Sequence, residues 1–168
     1  LFTLILVKDK RDYTKKERLY VFVPVWGEKH IDMFMSYGLP SVNTDDNLRL
    51  LQKDIKVSFF FYTKKESLEY LSKKLNKFDF EFNIVLESDL PPYRRTLSKF
   101  LTDMLKKAVK DKAMILLSPP DTIFSDFSIL NMVKMANGKG VSIALPHSRV
   151  SHSCVSKELK NKLNNGKI

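Results

Sequence analysis

The chain has 168 residues, is 43% hydrophobic and carries a formal net charge of +10, a composition that suits one globular domain with a sizeable core. No apolar run approaches the ~20 residues of a membrane-spanning helix. The single cysteine, Cys154, excludes an internal disulfide and a cysteine-built zinc cluster, and fits a reducing, cytoplasmic location.

Residues 1–18 read as an N-terminal arm and charged loop. Leu1 to Val7 is apolar but short, and it lacks the shape of a signal peptide. It suits an edge strand or an arm, so a protein partner is expected to bind through residues 1–8. The chain begins at Leu1 rather than Met, as a trimmed piece would. Leu19 to Val25 is aromatic and β-branched, with Pro24 near its end, and predicts the first strand. Gly27 after Trp26 permits a tight turn. Ile31, Phe34 and Met35 then stand at helical spacing, and Gly38 is expected to stop that helix. Leu39-Pro40-Ser41 reads as a turn. Thr44 or Asp45 can cap a second short helix carrying Leu48, Leu50 and Leu51.

Ile55 to Tyr62 predicts the second strand, with Thr63 capping a helix that turns Leu68, Leu71 and Leu75 inward. Phe80 to Leu86 predicts the third strand, and Pro91-Pro92 breaks the chain. The clearest helix follows, its stripe formed by Leu97, Phe100, Leu101, Met104, Leu105, Ala108 and Val109. Ala113 to Leu117 is a continuous apolar run, as in a central strand of a parallel sheet buried on both faces. Ser118-Pro119-Pro120 ends it, because proline cannot donate to a ladder. Asp121 is thereby offered past the carboxyl end of the strand, where ligands bind in open parallel sheets. An Asp after a strand is more often only a turn residue, its side chain bonding nearby backbone N–H groups. Asp126 reads as an anion at the N-terminus of the next helix, which turns Ile129, Leu130, Val133 and Ala136 inward. Val141 to Leu145 predicts a fifth strand, and 151–168 is a polar C-terminal tail, where a truncation would fall.

Strands and helices alternate, which predicts an α/β fold: a Rossmann-like three-layer domain over 19–150 with a mainly parallel sheet of about five strands. Trp26-Gly27-Glu28 matches neither the dinucleotide fingerprint nor the Walker pattern, which weakens NAD and ATP readings. The positive charge suits a polyanionic partner. Its lysines are nonetheless spread along the chain in short clusters, such as Lys64-Lys65 and Lys106-Lys107, as on solvated faces. No aromatic-basic motif supports a nucleic-acid-binding domain.

A series of short motifs runs in order along this frame: Val25-Trp26-Gly27, Gly38-Leu39-Pro40-Ser41 with Asn47-Leu48, Phe61-Tyr62-Thr63, Tyr93 opening the long helix, and Ser118-Pro119-Pro120-Asp121 leading to Phe124-Ser125-Asp126. Gly140 precedes a strand that ends near Arg149. The series resembles the nucleotide-binding part of glycosyltransferases with the A-type fold, in particular a bacterial and phage group with a "Trp-Gly … Leu-Pro-Ser … Asn" signature, over about Leu19 to Arg149. The resemblance implies transfer of a sugar from a nucleoside-diphosphate donor to an acceptor that the sequence does not name. It implies a nucleotide pocket lined by Pro24, Val25, Trp26, Gly27 and Thr63; Arg149, in the polar cluster after the fifth strand, is a separate candidate for the diphosphate. It also implies a divalent metal, Mn²⁺ or Mg²⁺, at Asp121.

Two departures stand out. Many members carry an Asp-X-Asp pair where this chain has Pro120-Asp121-Thr122, and the family's acceptor region usually lies beyond the fifth strand, where only residues 150–168 follow. A non-catalytic domain of the same fold, used for assembly in a phage particle or larger complex, is therefore the alternative. Of the remaining candidates, His147 and His152 bracket Arg149 in a polar loop and suit solvation as well as diphosphate or metal binding. Cys154 has no partner histidine at a nucleophile spacing. Trp26 suits a stacked base or the core, and Arg94-Arg95 stand at a helix start, facing an anion or water.

Overall fold

The computed structural model describes residues 17–87 and 93–137. Its centre is β1 (Arg18–Pro24), buried from Leu19 onward. Alternate residues of this strand are apolar on both sides, so it requires cover on both faces. It pairs in parallel with β2 (Lys56–Lys64) on one side and with β4 (Met114–Leu117) on the other. β2 pairs in parallel with β3 (Phe82–Glu87), giving a four-stranded sheet of order β3-β2-β1-β4.

Leu19, Val21 and Val23 of β1 share one core with Phe59 and Phe61 of β2. That core is closed by α1 (Glu28–Met33), α2 (Leu39–Val42), α3 (Leu68–Leu75) and α5 (Ser128–Ala136). Tyr20, Phe22, Phe60 and Tyr62 point the other way and pack on Phe100, Met104 and Ala108 of α4 (Tyr93–Lys110). The helix that leads back from β3 to β4 thus lies opposite the others, as right-handed crossovers require when strand order reverses. The three-layer α/β expectation holds with four described strands. The expected fifth, Val141 to Leu145, lies outside the described residues, as do the arm, Arg149, both histidines near it and Cys154.

Several local expectations are corrected. Gly38 does not stop a helix: α1 runs through a π-helical turn (Phe34–Gly38) into α2. Pro40 sits in the first turn of α2 and has no N–H to give to the preceding turn, and a shift of the ladder to the wider π spacing accommodates it. Gly38 is required by close approach instead, because a Cβ there would lie 2.7 Å from Cδ2 of Phe34 and 3.4 Å from the carbonyl oxygen of Thr122. The stripe of α4 is narrower than its periodicity implies. Phe100, Met104 and Ala108 are buried, whereas Leu105 and Val109 are 48% and 70% exposed. β4 is the last strand of the described sheet, with Leu116 buried and Leu117 exposed, and the strand expected to flank it falls outside the described residues.

Candidate functional site

The strand order reverses between β1 and β4: β2 and β3 are added on one side of β1 and β4 on the other. In open α/β sheets a ligand crevice forms at such a point. Two backbone bonds carry the ladder to this rim: Val25 N–H donates to the Tyr62 carbonyl, and Ser118 N–H to that of Phe22, both at 2.9 Å. Pro24 to Gly27 and Ser118 to Asp121 therefore share one end of the sheet, with Thr63 beside them at the end of β2.

Gly27 takes a positive φ of 77°, which a side chain would resist. Its N–H donates to Oγ of Ser67 at 2.9 Å, tying the turn after β1 to the 3-10 turn (Lys65–Ser67) after β2. Trp26 is half-buried. Its ring meets Phe100 edge-on at 6.0 Å, and Phe100 in turn meets Tyr62 at 5.0 Å. The ammonium of Lys64 stands 5.5 Å from the Trp26 ring centroid, within reach of a cation–π attraction. Trp26 thus serves the packing of α4 while keeping part of its surface at the rim.

Asp121 occupies the tip of a turn in which Thr122 N–H donates to the Pro119 carbonyl at 3.1 Å. Pro120 supplies the restrained φ that the turn favours. The carboxylate is exposed and has no hydrogen-bond or ion-pair partner among the described residues. Asp126 does not cap α5: the cap position is Phe127 at φ 58°, and Oδ1 of Asp126 is buried without a partner. Ser128 N–H and Oγ both reach back to the Ser125 carbonyl. Thr63 does not cap either. It stays inside β2, fully buried, and its hydroxyl is unpartnered, as is that of buried Ser118 across the rim. Buried polar groups are rarely left this way.

The loop carrying Asp121 is held from beneath. Oγ of Ser41 donates to the Gly38 carbonyl at 2.8 Å and accepts the Phe124 N–H at 3.1 Å. The fully buried amide of Asn47 donates to the carbonyls of Ser41 and Ser125, each at 3.1 Å, and accepts the Ile129 N–H at 3.0 Å. The Leu-Pro-Ser and Asn motifs are therefore the physical support of the Pro119–Phe127 loop.

The shifted titrations lie elsewhere. Hydrogen bonds from Lys74 and Tyr70 hold the Asp32 carboxyl below its usual range, and the bond to Asp32 pushes Lys74 up. Burial, and then the bond to Asp111, raises Tyr20, while the Tyr20 and Lys107 bonds lower Asp111. A half-open hollow of about 160 Å³ lies at the amino end of the sheet, between Arg18, Ser58, Phe60, Asn83 and Lys107, away from the rim. Its cations are largely engaged: Lys107 with Asp111, and Lys56 beside it with Glu81.

Among the described residues, no three His, Cys, Asp or Glu side chains converge as a metal cage. No helix among them is long and apolar enough to cross a membrane. Comparison with protein-family models, curated proteins and solved structures returned no match to this chain. The class defined by the fold is a parallel α/β domain with helices on both faces of its sheet.

Of the expected site residues, Pro24, Val25, Trp26, Gly27, Thr63 and Asp121 gather at the carboxyl rim. Sequence reasoning missed the unpartnered hydroxyl of Ser118 and the placement of Lys64. It quoted Asn47 only as part of a motif.

Proposed function

We propose that this chain is the donor-binding part of a nucleotide-sugar glycosyltransferase with the A-type fold, its sheet completed by a fifth strand at Val141 to Leu145. The observation that carries the reading is the reversal of strand order between β1 and β4, with the ordered motifs of the chain converging on that end. On this reading the base lies against Trp26, the backbone of Pro24 to Gly27 follows the ribose, and the hydroxyls of Thr63 and Ser118 find their missing partners in the ligand. Arg149 meets the diphosphate.

A lone exposed carboxylate suits a Mg²⁺ or Mn²⁺ that keeps most of its waters and takes its other ligands from phosphate oxygens. Asp121 would hold it. When bound, such a cation neutralises charge on the leaving diphosphate. The chain's own part is to fix the loop that presents Asp121, through Ser41 and Asn47, and to exclude water from the buried side of the rim.

The test is thermal: UDP or GDP with Mn²⁺ should raise the melting temperature, because a ligand at 100 times its Kd stabilises by about 2.7 kcal/mol. No shift with any nucleoside diphosphate contradicts the reading. A second reading, an assembly domain of the same fold, is favoured by Leu105 and Val109, which leave one flank of α4 apolar and uncovered. It requires a partner or second copy on that flank, seen as a mass increase in solution that Val109→Lys abolishes.

A further inference from the structure

The two flanks of α4 differ. Lys107 stands on the flank that overlooks the hollow, beside Ser58 of β2 and Asn83 of β3. Leu101, Leu105 and Val109 recur at i, i+4 and i+8 on the opposite flank, which therefore lies over β4. Leu101 and Ile115 accordingly pack against the same cluster of buried residues. The register pairs Tyr20 with Ile115 and Phe22 with Leu117, so Ile115 and Leu117 face the α4 side of the sheet as Tyr20 and Phe22 do. Leu117 is 49% exposed there, beside the uncovered Leu105 and Val109. The result is an apolar groove with β4 as its floor and α4 as its one wall. α5 cannot close it, because Ile129, Leu130 and Val133 are buried in the core on the other face.

A groove between a helix and a sheet face takes a second helix, packed at about 8–10 Å from the first. We infer that its occupant is this chain's own segment 152–163, docked as a helix against α4. In the sequence Val155, Leu159 and Leu163 recur at i, i+4 and i+8, the spacing of Leu101, Leu105 and Val109, with Lys157, Glu158, Lys160 and Lys162 between them. The described chain leaves α5 at Asn137. At up to about 3.3 Å per residue, residues 138–151 reach from the α5 face to the α4 face. The other apolar stretch outside the described residues, Leu1 to Val7, has no polar face and is rich in strand formers, so it suits a ladder better than a helix groove. The docked segment gives β4 the cover on its second face that α4 leaves incomplete. The inference needs no nucleotide, and it competes with the assembly reading for the same flank.

Cys154 is the sole cysteine, so Cys154→Ser gives the full chain without a thiol. Into it go Leu105→Cys and Leu159→Cys, the centres of the two stripes, which meet whether the helices run parallel or antiparallel. The control pairs Leu159→Cys with Asp103→Cys, on the far flank of α4. A disulfide requires Cα atoms within about 7 Å. Mild oxidation should therefore close a bridge within one chain for the Leu105 pair, at unchanged molecular mass, and leave the Asp103 pair reduced. A second measurement follows maleimide labelling of Leu105→Cys alone. The docked segment should slow it, and adding Leu159→Lys should speed it by about tenfold as the groove opens. Melting curves establish that each variant folds; if Leu159→Lys does not, the disulfide pair decides alone.

A bridge that forms only between chains, with doubled mass, overturns the inference and gives the groove to a second copy. No bridge, with Leu105→Cys labelled as fast as a free thiol, overturns it by showing the groove open. No bridge, with protection that survives Leu159→Lys, overturns it in favour of another occupant such as Leu1 to Val7.

Discussion

Asn47 holds Ser125 in place across 78 residues of chain, its Nδ2 donating to the Ser125 carbonyl at 3.1 Å from a fully buried position. The same amide donates to Ser41 and accepts from Ile129, so one side chain joins α2, the post-β4 loop and the start of α5. Asn47→Ala would leave two carbonyls and one N–H without this partner. At ~1–3 kcal/mol for each buried group left unsatisfied, and with partial relaxation, a loss of about 2–4 kcal/mol is expected in urea denaturation. Asn47→Asp should be no better, because a carboxylate cannot donate to the two carbonyls.

Gly38→Ala sets two effects against each other. Helix propensity favours alanine by about 1 kcal/mol. The new Cβ would lie 2.7 Å from the ring of Phe34, which is itself fully buried and cannot swing away. Overpacking of this kind costs about 1–3 kcal/mol, so a net destabilisation of up to about 2 kcal/mol is expected. Trimming the ring in the double variant Gly38→Ala, Phe34→Leu should give coupling of opposite sign. Additive losses in a double-mutant denaturation cycle would contradict the contact.

Thr63→Val and Ser118→Ala separate stability from binding. Each removes a buried hydroxyl that has no partner. Both should leave stability unchanged or raise it by up to about 1 kcal/mol, since the buried group is no longer left unsatisfied. On the donor reading both weaken nucleotide binding. Destabilisation by either variant would show that the hydroxyl is satisfied in solution.

The Asp32–Lys74–Tyr70 cluster sets a pH limb. The Lys74 ammonium lies 2.6 Å from Asp32, and the Tyr70 hydroxyl donates to the same carboxylate at 2.9 Å. The carboxyl of Asp32 is lowered from its usual 3.8 in the folded chain. Its contribution is therefore present above that value and lost as pH falls below 3.8 through the depressed folded value. Lys74 is raised from 10.5, so its contribution holds below that value and fades as pH rises through the raised one. Asp32→Asn should flatten this part of the acid limb of a stability–pH curve, and an unchanged limb would rule out the pair as its source.

Much of the frame was legible because β1 and β2 are apolar on both faces and flanked by breakers, and those runs fold as parallel strands. The errors share a cause: a neighbour decides what local pattern cannot. Gly38 reads as a stop, yet it is small because Phe34 and the Thr122 carbonyl crowd it. Thr63 reads as a cap, yet the strand continues through Lys64. Leu105 and Val109 complete a helical stripe in sequence, but α4 meets the sheet along the narrower Phe100–Met104–Ala108 row. At the rim, the order of motifs signalled Trp26, Gly27 and Asp121. The tie from Asn47 to Ser125 is a tertiary bond between distant segments, and no local spacing encodes it.

The central claim is that a nucleotide meets the carboxyl rim of this sheet. Amide hydrogen exchange with and without saturating UDP or GDP and Mn²⁺ tests it by location. The account predicts new protection at residues 24–27, 63–64 and 118–122, with the amino-end strand positions 18–20 and 56–58 unchanged. Protection confined to the amino end near Arg18 and Lys56, or none under either nucleotide, would contradict it.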